Sequence, residues 1–162
     1  MSVGEEVEIY FFHGLESGPH GRKYHRLSED FSVTSPDFQG MDIWERLEKA
    51  EALTEGMTDL VVVGSSFGGL LAALLYARHP ERFRGYVLMA PALHHPDVPG
   101  EVDKMPERAV VIHAPADEVV PFEPVREFCE SHGVEVRAVE DDHRLGESLE
   151  EMVEAVREVI GK

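Results

Sequence analysis

Six short apolar runs recur along the chain, and stretches of helical spacing separate them. Residues 7–12, 59–63, 85–89 and 109–112 are rich in Val, Ile, Leu, Tyr and Phe and are bounded by turn-forming residues. Most show no strict alternation, which is how a strand covered on both faces reads. Residues 31–34 and 134–139 are weaker strands, and the second alternates as an edge strand does. Between them, residues 20–30, 42–55, 67–78, 123–132 and 145–160 read as helices. In the second of these, Asp42 stands where a cap is needed, Ile43, Leu47 and Leu53 supply a partial stripe, and Gly56 follows. Residues 67–78 are apolar almost all round, the mark of a buried helix that stops ahead of Pro80. In the last, Leu149, Met152, Val153, Val156 and Ile160 recur at helical spacing. Strands alternating with helices predict a mostly parallel α/β sheet, six strands wide, with helices on both faces.

The chain has 162 residues, 43% of them hydrophobic, enough for one domain over 1–162 and too few for two. No linker, repeat or low-complexity segment divides it. The longest irregular piece, residues 90–107, carries Pro91, Pro96, Pro99 and Pro106, and reads as a loop or minimal lid over the carboxyl edge of the sheet. No apolar run approaches the ~20 residues of a membrane span. Met1–Glu6 is acidic, which argues against a secretory leader and for a cytoplasmic protein. Cys129 stands alone, so neither an internal disulfide nor a multi-cysteine metal site is expected. Its helical context predicts a partly buried, unreactive thiol. The formal charge of −17 repels nucleic acid. It favours solubility, and is also the composition of a protein adapted to high salt. Oligomeric state leaves no trace in the sequence.

The chemistry concentrates at Gly64-Ser65-Ser66-Phe67-Gly68, a G-x-S-x-G string. A buried-type strand precedes it, and a Leu/Ala-rich helix follows at once. A sharp turn in that setting lifts the Ser66 side chain clear of the backbone. Gly64 and Gly68 let neighbouring chain pass close, and the helix N-terminus favours negative charge. A phosphate-binding turn is the alternative. A P-loop needs Gly-Lys-Ser/Thr, however, and this loop has no lysine; nor does G-x-G-x-x-G follow the first strand.

Nearly the whole chain resembles the α/β-hydrolase superfamily. The likeness runs through His13-Gly14-Leu15-Glu16-Ser17-Gly18-Pro19, Ser35-Pro36-Asp37-Phe38-Gln39-Gly40 and Gly64–Gly69. It continues through His79-Pro80-Glu81-Arg82-Phe83, Met89-Ala90-Pro91-Ala92 and His113-Ala114-Pro115-Ala116-Asp117-Glu118-Val119-Val120-Pro121. Small size and the His-Gly-Leu-x-Ser-Gly-Pro string are most similar to small bacterial YqiA-like esterases. The resemblance implies a reduced α/β-hydrolase with strand order 2-1-3-4-5-6, a serine nucleophile and no cofactor. It also implies the chain order nucleophile, acid, base. Only His132 and His143 lie beyond Asp117, and His143 falls in the loop where the family carries its base. Asp117 matches the family acid in Asp-x-x-Val-Pro, with Glu118, Asp141 and Asp142 as alternatives. Asp142 is otherwise a cap for the last helix. The family's oxyanion hole maps to the backbone N–H groups of Leu15 and Phe67, and His13 is read as a structural tie within its loop.

Arg22, Lys23, His25 and Arg26 form a basic knot in this acidic chain. Arg22 and Lys23, with His94, are the candidate substrate contacts, suited to a carboxylate or to the phosphates of a carrier thiol. The alternative is a solvated face paired with Glu29 and Asp30. His94, His95 and Asp97 make a poor metal set, since adjacent histidines point apart, and no metal is expected. Trp44 reads as a packing anchor. The expected function is hydrolysis of a small or extended ester or thioester by Ser66, His143 and Asp117 through an acyl-enzyme. The alternatives are an acyl-CoA or acyl-carrier thioesterase, a serine peptidase, or an interaction module on a hydrolase scaffold.

Overall fold

In the computed structural model the described residues are 8–95 and 100–161. Met1–Glu6, Val7, and Pro96, Asp97 and Pro99 of the proline-rich segment lie outside them. In chain order the elements are β1 (Ile9–Phe12), α1 (Arg22–Asp30), β2 (Val33–Thr34), α2 (Ile43–Leu53), β3 (Leu60–Ser65) and α3 (Phe67–Arg78). After a 3-10 turn at Pro80–Arg82 come β4 (Phe83–Met89), β5 (Ala109–His113), α4 (Phe122–Glu130), β6 (Val136–Ala138) and α5 (Leu149–Gly161). The strands form one six-stranded sheet in the order β2-β1-β3-β4-β5-β6. Every neighbouring pair is parallel.

Alternate side chains of each central strand face opposite ways, and both faces are dry. Tyr10, Phe12, Leu60, Val62, Tyr86, Leu88 and Val111 share one core with residues of α2, α3 and α4. Ile9, Phe11, Val61, Val63, Val87, Met89, Val110 and Ile112 share the other with Leu27 of α1 and Met152, Val153, Val156 and Val159 of α5. That double burial is why the strands read as continuous apolar runs. The two edges differ: β2 has two residues and β6 three.

The elements follow their local signals closely. Asp42 caps α2 through a reciprocal box: its carboxylate accepts from the Glu45 N–H at 2.8 Å, and the Glu45 carboxylate accepts from the Asp42 N–H at 2.9 Å. Such a cap contributes about 1 kcal/mol. α3 is buried continuously from Gly68 to Leu75.

Four expectations need correction. α5 begins at Leu149, not at 145. Leu145 sits at φ 55°, outside helical geometry. The Asp141 carboxylate accepts from the Glu147 N–H and the Ser148 hydroxyl, each at 2.8 Å, and winds 142–148 into turns. Asp142 therefore does not cap the helix; its carboxylate accepts from the Arg144 N–H at 3.0 Å. Trp44 is no packing anchor: it is 40% exposed, with the Arg78 guanidinium 5.8 Å from its ring. Cys129 is fully rather than partly buried, and burial pushes its thiol up to about 12.

Close packing at the turn after β3 has a measurable consequence. A Cβ on Gly68 would stand 2.0 Å from the Phe12 carbonyl oxygen, a backbone atom fixed by the β1 ladder. Gly68→Ala should therefore destabilise the fold by about 3 kcal/mol or more. A urea melt checks this, and a midpoint within error of wild type would contradict it.

Candidate active site

The three candidate catalytic side chains all lie just past the carboxyl ends of strands, where ligand crevices form in parallel sheets. Ser66 follows β3, Asp117 follows β5, and His143 follows β6.

Ser66 joins β3 to α3 with φ 56° and ψ −112°, a conformation uncommon for a residue with a side chain. Main-chain bonds hold it there. Its N–H donates to Met89 O at 2.8 Å, and its carbonyl accepts from Gly69, Leu70 and Ala92. The bonds to Met89 and Ala92 come from the end of β4 and the loop beyond, so a neighbouring strand maintains the turn. Gly64 and Gly69 are needed too: a Cβ on Gly64 would lie 2.5 Å from Gly68 O, and one on Gly69 would lie 2.7 Å from the Pro91 side chain.

The Ser66 hydroxyl and His143 Nε2 are 2.9 Å apart, and His143 Nδ1 and Asp117 Oδ2 are 2.7 Å apart. The other carboxylate oxygen of Asp117 accepts from the Val119 and Val120 N–H groups at 2.7 and 2.8 Å. Burial pushes the Asp117 carboxyl up, but the His143 N–H and the two amides outweigh it and hold the group below its ordinary value. An ionised acid therefore accepts a hydrogen bond from Nδ1–H, which leaves Nε2 free to accept from Ser66. Glu118 and Asp141 have other settings. Glu118 is exposed, and Asp141 shapes the turns after His143. His132 bonds its own helix end, at Phe128 O.

Beneath the acid lies fully buried His113. Its Nε2 donates to Val120 O at 2.9 Å and stands 3.3 Å from Asp117 Oδ2, while its Nδ1 has no hydrogen-bond partner among the described residues. Burial holds its pKa down, which favours the neutral ring beside the carboxylate.

The loop after β1 packs on the elbow. A Cβ on Gly14 would lie 3.6 Å from Ser66 Cβ. His13 ties this loop with both ring nitrogens: Nδ1 donates to Gly14 O and Nε2 accepts from the Phe38 N–H, each at 2.8 Å. Leu15 follows, 53% exposed. His94 is near enough to Asp117 and His143 for their charges to reach it.

Arg22 and Lys23 hold main chain. Arg22 Nη2 donates to Gly146 O at 3.3 Å and Lys23 Nζ to Arg144 O at 2.7 Å, which pins the His143 turn to α1. Arg26 pairs with Glu150, Glu29 and Asp30, as a solvated face would.

Arg46 escaped the sequence reading. It is fully buried and makes hydrogen bonds to the carbonyls of His13, Gly14 and Met41. A signal existed: Arg46 stands three residues after Ile43, on the stripe that continues through Leu47 and Ala50, all of them buried.

Among the described residues no group of His, Cys, Asp or Glu has the arrangement of a metal site, and no helix is long and apolar enough to cross a membrane.

Comparison with known proteins agrees with this architecture. A 2-hydroxymuconate semialdehyde hydrolase of Pseudomonas putida is 35% identical over 103 residues, which are 53% of this chain and 37% of that protein. The chain thus spans little more than a third of the curated relative it matches. A structure from Xanthomonas campestris pv. campestris, assigned to the α/β hydrolase superfamily, superposes with a TM-score of 0.81 at 25% identity, covering 96% of this chain and 97% of that one. Est1E from Butyrivibrio proteoclasticus gives 0.80 at 19% identity over 97% and 89%. The monoacylglycerol lipase of Paleococcus ferrophilus gives 0.71 at 18% over 95% and 94%. The family model for the α/β hydrolase fold matches residues 11–157, and the chain belongs to that family of hydrolases.

Proposed function

We propose that the chain hydrolyses carboxylic esters or thioesters by a serine-centred, two-step acyl transfer. The observation that carries this reading is the continuous hydrogen-bonded path from Ser66 through His143 to Asp117. His143 Nε2 takes the hydroxyl proton as Ser66 Oγ bonds to the acyl carbon. The oxyanion that forms is held by the Leu15 and Phe67 N–H groups. His143 then passes the proton to the departing alcohol or thiol, leaving acyl-Ser66. Water gives a proton to the same nitrogen and attacks the acyl carbon. Collapse releases the carboxylic acid and returns the proton to Ser66.

The substrate we favour is neutral and partly apolar. Leu15 at 53% and Val119 at 62% exposed offer apolar surface beside the oxyanion loop and the acid. The net charge of −17 repels a polyanionic carrier such as coenzyme A, and the carbonyls of Gly146 and Arg144 occupy the two cations that would receive its phosphates. Short p-nitrophenyl esters should therefore turn over faster than acyl-CoA thioesters of equal chain length, and added salt should narrow the gap by screening. Faster turnover of the thioesters would make the protein a thioesterase. If a fluorophosphonate fails to label Ser66 in folded protein, the hydrolytic reading gives way to a binding module.

A further inference from the structure

We infer that Arg46, a residue remote in sequence from the nucleophile, positions both halves of the oxyanion hole from inside the protein; the inference rests on the hydrolase reading above. Arg46 projects from α2 into the space beneath the loop after β1 and is fully buried. Its Nη1 donates to His13 O at 2.9 Å, its Nη2 to Gly14 O at 3.3 Å and its Nε to Met41 O at 3.3 Å. The guanidinium carbon stands 4.9 Å from the centroid of the Phe67 ring and 5.7 Å from that of Phe38. Three carbonyl dipoles and two aromatic faces thus surround the charge. Asp37, with an exposed side chain, is the carboxylate whose charge reaches it.

A buried charge held this way is costly unless its partners are fixed, and the partners here are the two loop peptides next to the nucleophile. In a trans peptide the C=O and the following N–H point in opposite directions. Gly14 O is gripped by Arg46 Nη2 and by His13 Nδ1, so the Leu15 N–H of the same peptide is turned away from the guanidinium. Likewise, with His13 O turned to Arg46, the Gly14 N–H is directed to Ser17 Oγ at 3.1 Å. The second donor, the Phe67 N–H, belongs to the residue whose ring rests on the same guanidinium. One rigid fork therefore fixes the spacing between two backbone donors from separate elements, and places positive charge behind them in a dry setting.

A purely structural arginine would fasten α2 to the loop and affect stability alone. A positioning residue of this kind affects the transition state more than the bound substrate. The test is steady-state hydrolysis of p-nitrophenyl acetate by wild type, Arg46→Met and Arg46→Lys, with Ser66→Ala in parallel and folding checked by circular dichroism. Inhibition by a trifluoromethyl ketone, which forms the tetrahedral oxyanion on the serine, is measured alongside. Arg46→Met should lower kcat about 10- to 100-fold, less than the loss of a direct oxyanion donor, with KM within about twofold. Ketone affinity should fall in parallel, and Arg46→Lys should recover part of both losses. The inference is overturned if folded Arg46→Met keeps kcat within about threefold of wild type, or if KM and ketone affinity weaken equally. Should Arg46→Met not fold, Arg46→Lys decides: kcat and ketone affinity at least about fivefold down at constant KM support the inference, and anything less overturns it. Wild-type turnover that survives Ser66→Ala overturns the hydrolase reading and the inference with it. Ser66-dependent turnover indifferent to Arg46 overturns the inference alone.

Discussion

Ser66→Ala should reduce ester turnover by about 10⁴- to 10⁶-fold while the protein remains folded. The size of the loss follows from the role of the Ser66 hydroxyl as the attacking group. The variant removes the hydroxyl that stands 2.9 Å from His143 Nε2. Cys129 cannot substitute, being buried with its thiol pushed up to about 12. Stability should change little, because the turn is held by backbone bonds. The N–H to Met89 O and the carbonyl shared by Gly69, Leu70 and Ala92 are all retained by alanine. The unusual φ of 56° is strained for serine and alanine alike. The checks are a p-nitrophenyl ester assay and a thermal melt on the same preparation. Activity within tenfold of wild type would remove Ser66 from the mechanism.

Asp117→Asn should lower kcat by up to about 10⁴-fold. An asparagine side chain fits the same space, and its carbonyl oxygen can still accept from the Val119 and Val120 amides. Its NH2 group then faces His143 Nδ1 across the present 2.7 Å contact. Two donors cannot share that contact, so the proton moves to Nε2, and the nitrogen facing Ser66 can no longer take the hydroxyl proton. The charge that would stabilise an imidazolium is lost as well. Asp142→Asn serves as the control. Asp142 accepts from the Arg144 N–H within its own turn, and this variant should keep near wild-type turnover. The opposite ranking of the two variants would mean that the acid is misassigned. The Asp117 carboxyl is held below its ordinary value in the folded protein. Its contribution to stability is therefore present above the unfolded carboxyl's pKa and is lost as pH falls through the lower folded value.

Much of the fold is legible in the sequence. The runs that became β1, β3, β4 and β5 lack alternation because both faces are packed, and a period-2 test registers that directly. The glycines around Ser66 mark close approach, as the Cβ positions of Gly64 and Gly68 bear out. Other features depend on partners that a linear pattern does not display. Leu145 is buried at apolar spacing with Leu149 and Met152, so it read as helix, yet it enters the core from a turn at φ 55°. Arg22 and Lys23 read as ligand contacts because the carbonyls they hold are more than a hundred residues away. Arg46 is hidden because an apolar stripe is defined by its apolar residues, and this position of it is charged. A charge at a buried position of such a stripe is itself a signal, since its stem is core and its head must find carbonyls or a counter-ion.

The dimensions of the sheet edges bear on how this protein behaves when crowded. Its most apolar strands are interior, with a neighbour on each side. The outermost ones are two and three residues long, and Arg137 on β6 is paired with Glu158. An extended foreign chain would find only a few free amides and carbonyls along either flank, beside fixed charge, which is too little template for strand-by-strand polymerisation. Brief borders and the repulsion of an acidic surface both disfavour amyloid-like stacking of such greasy inner strands.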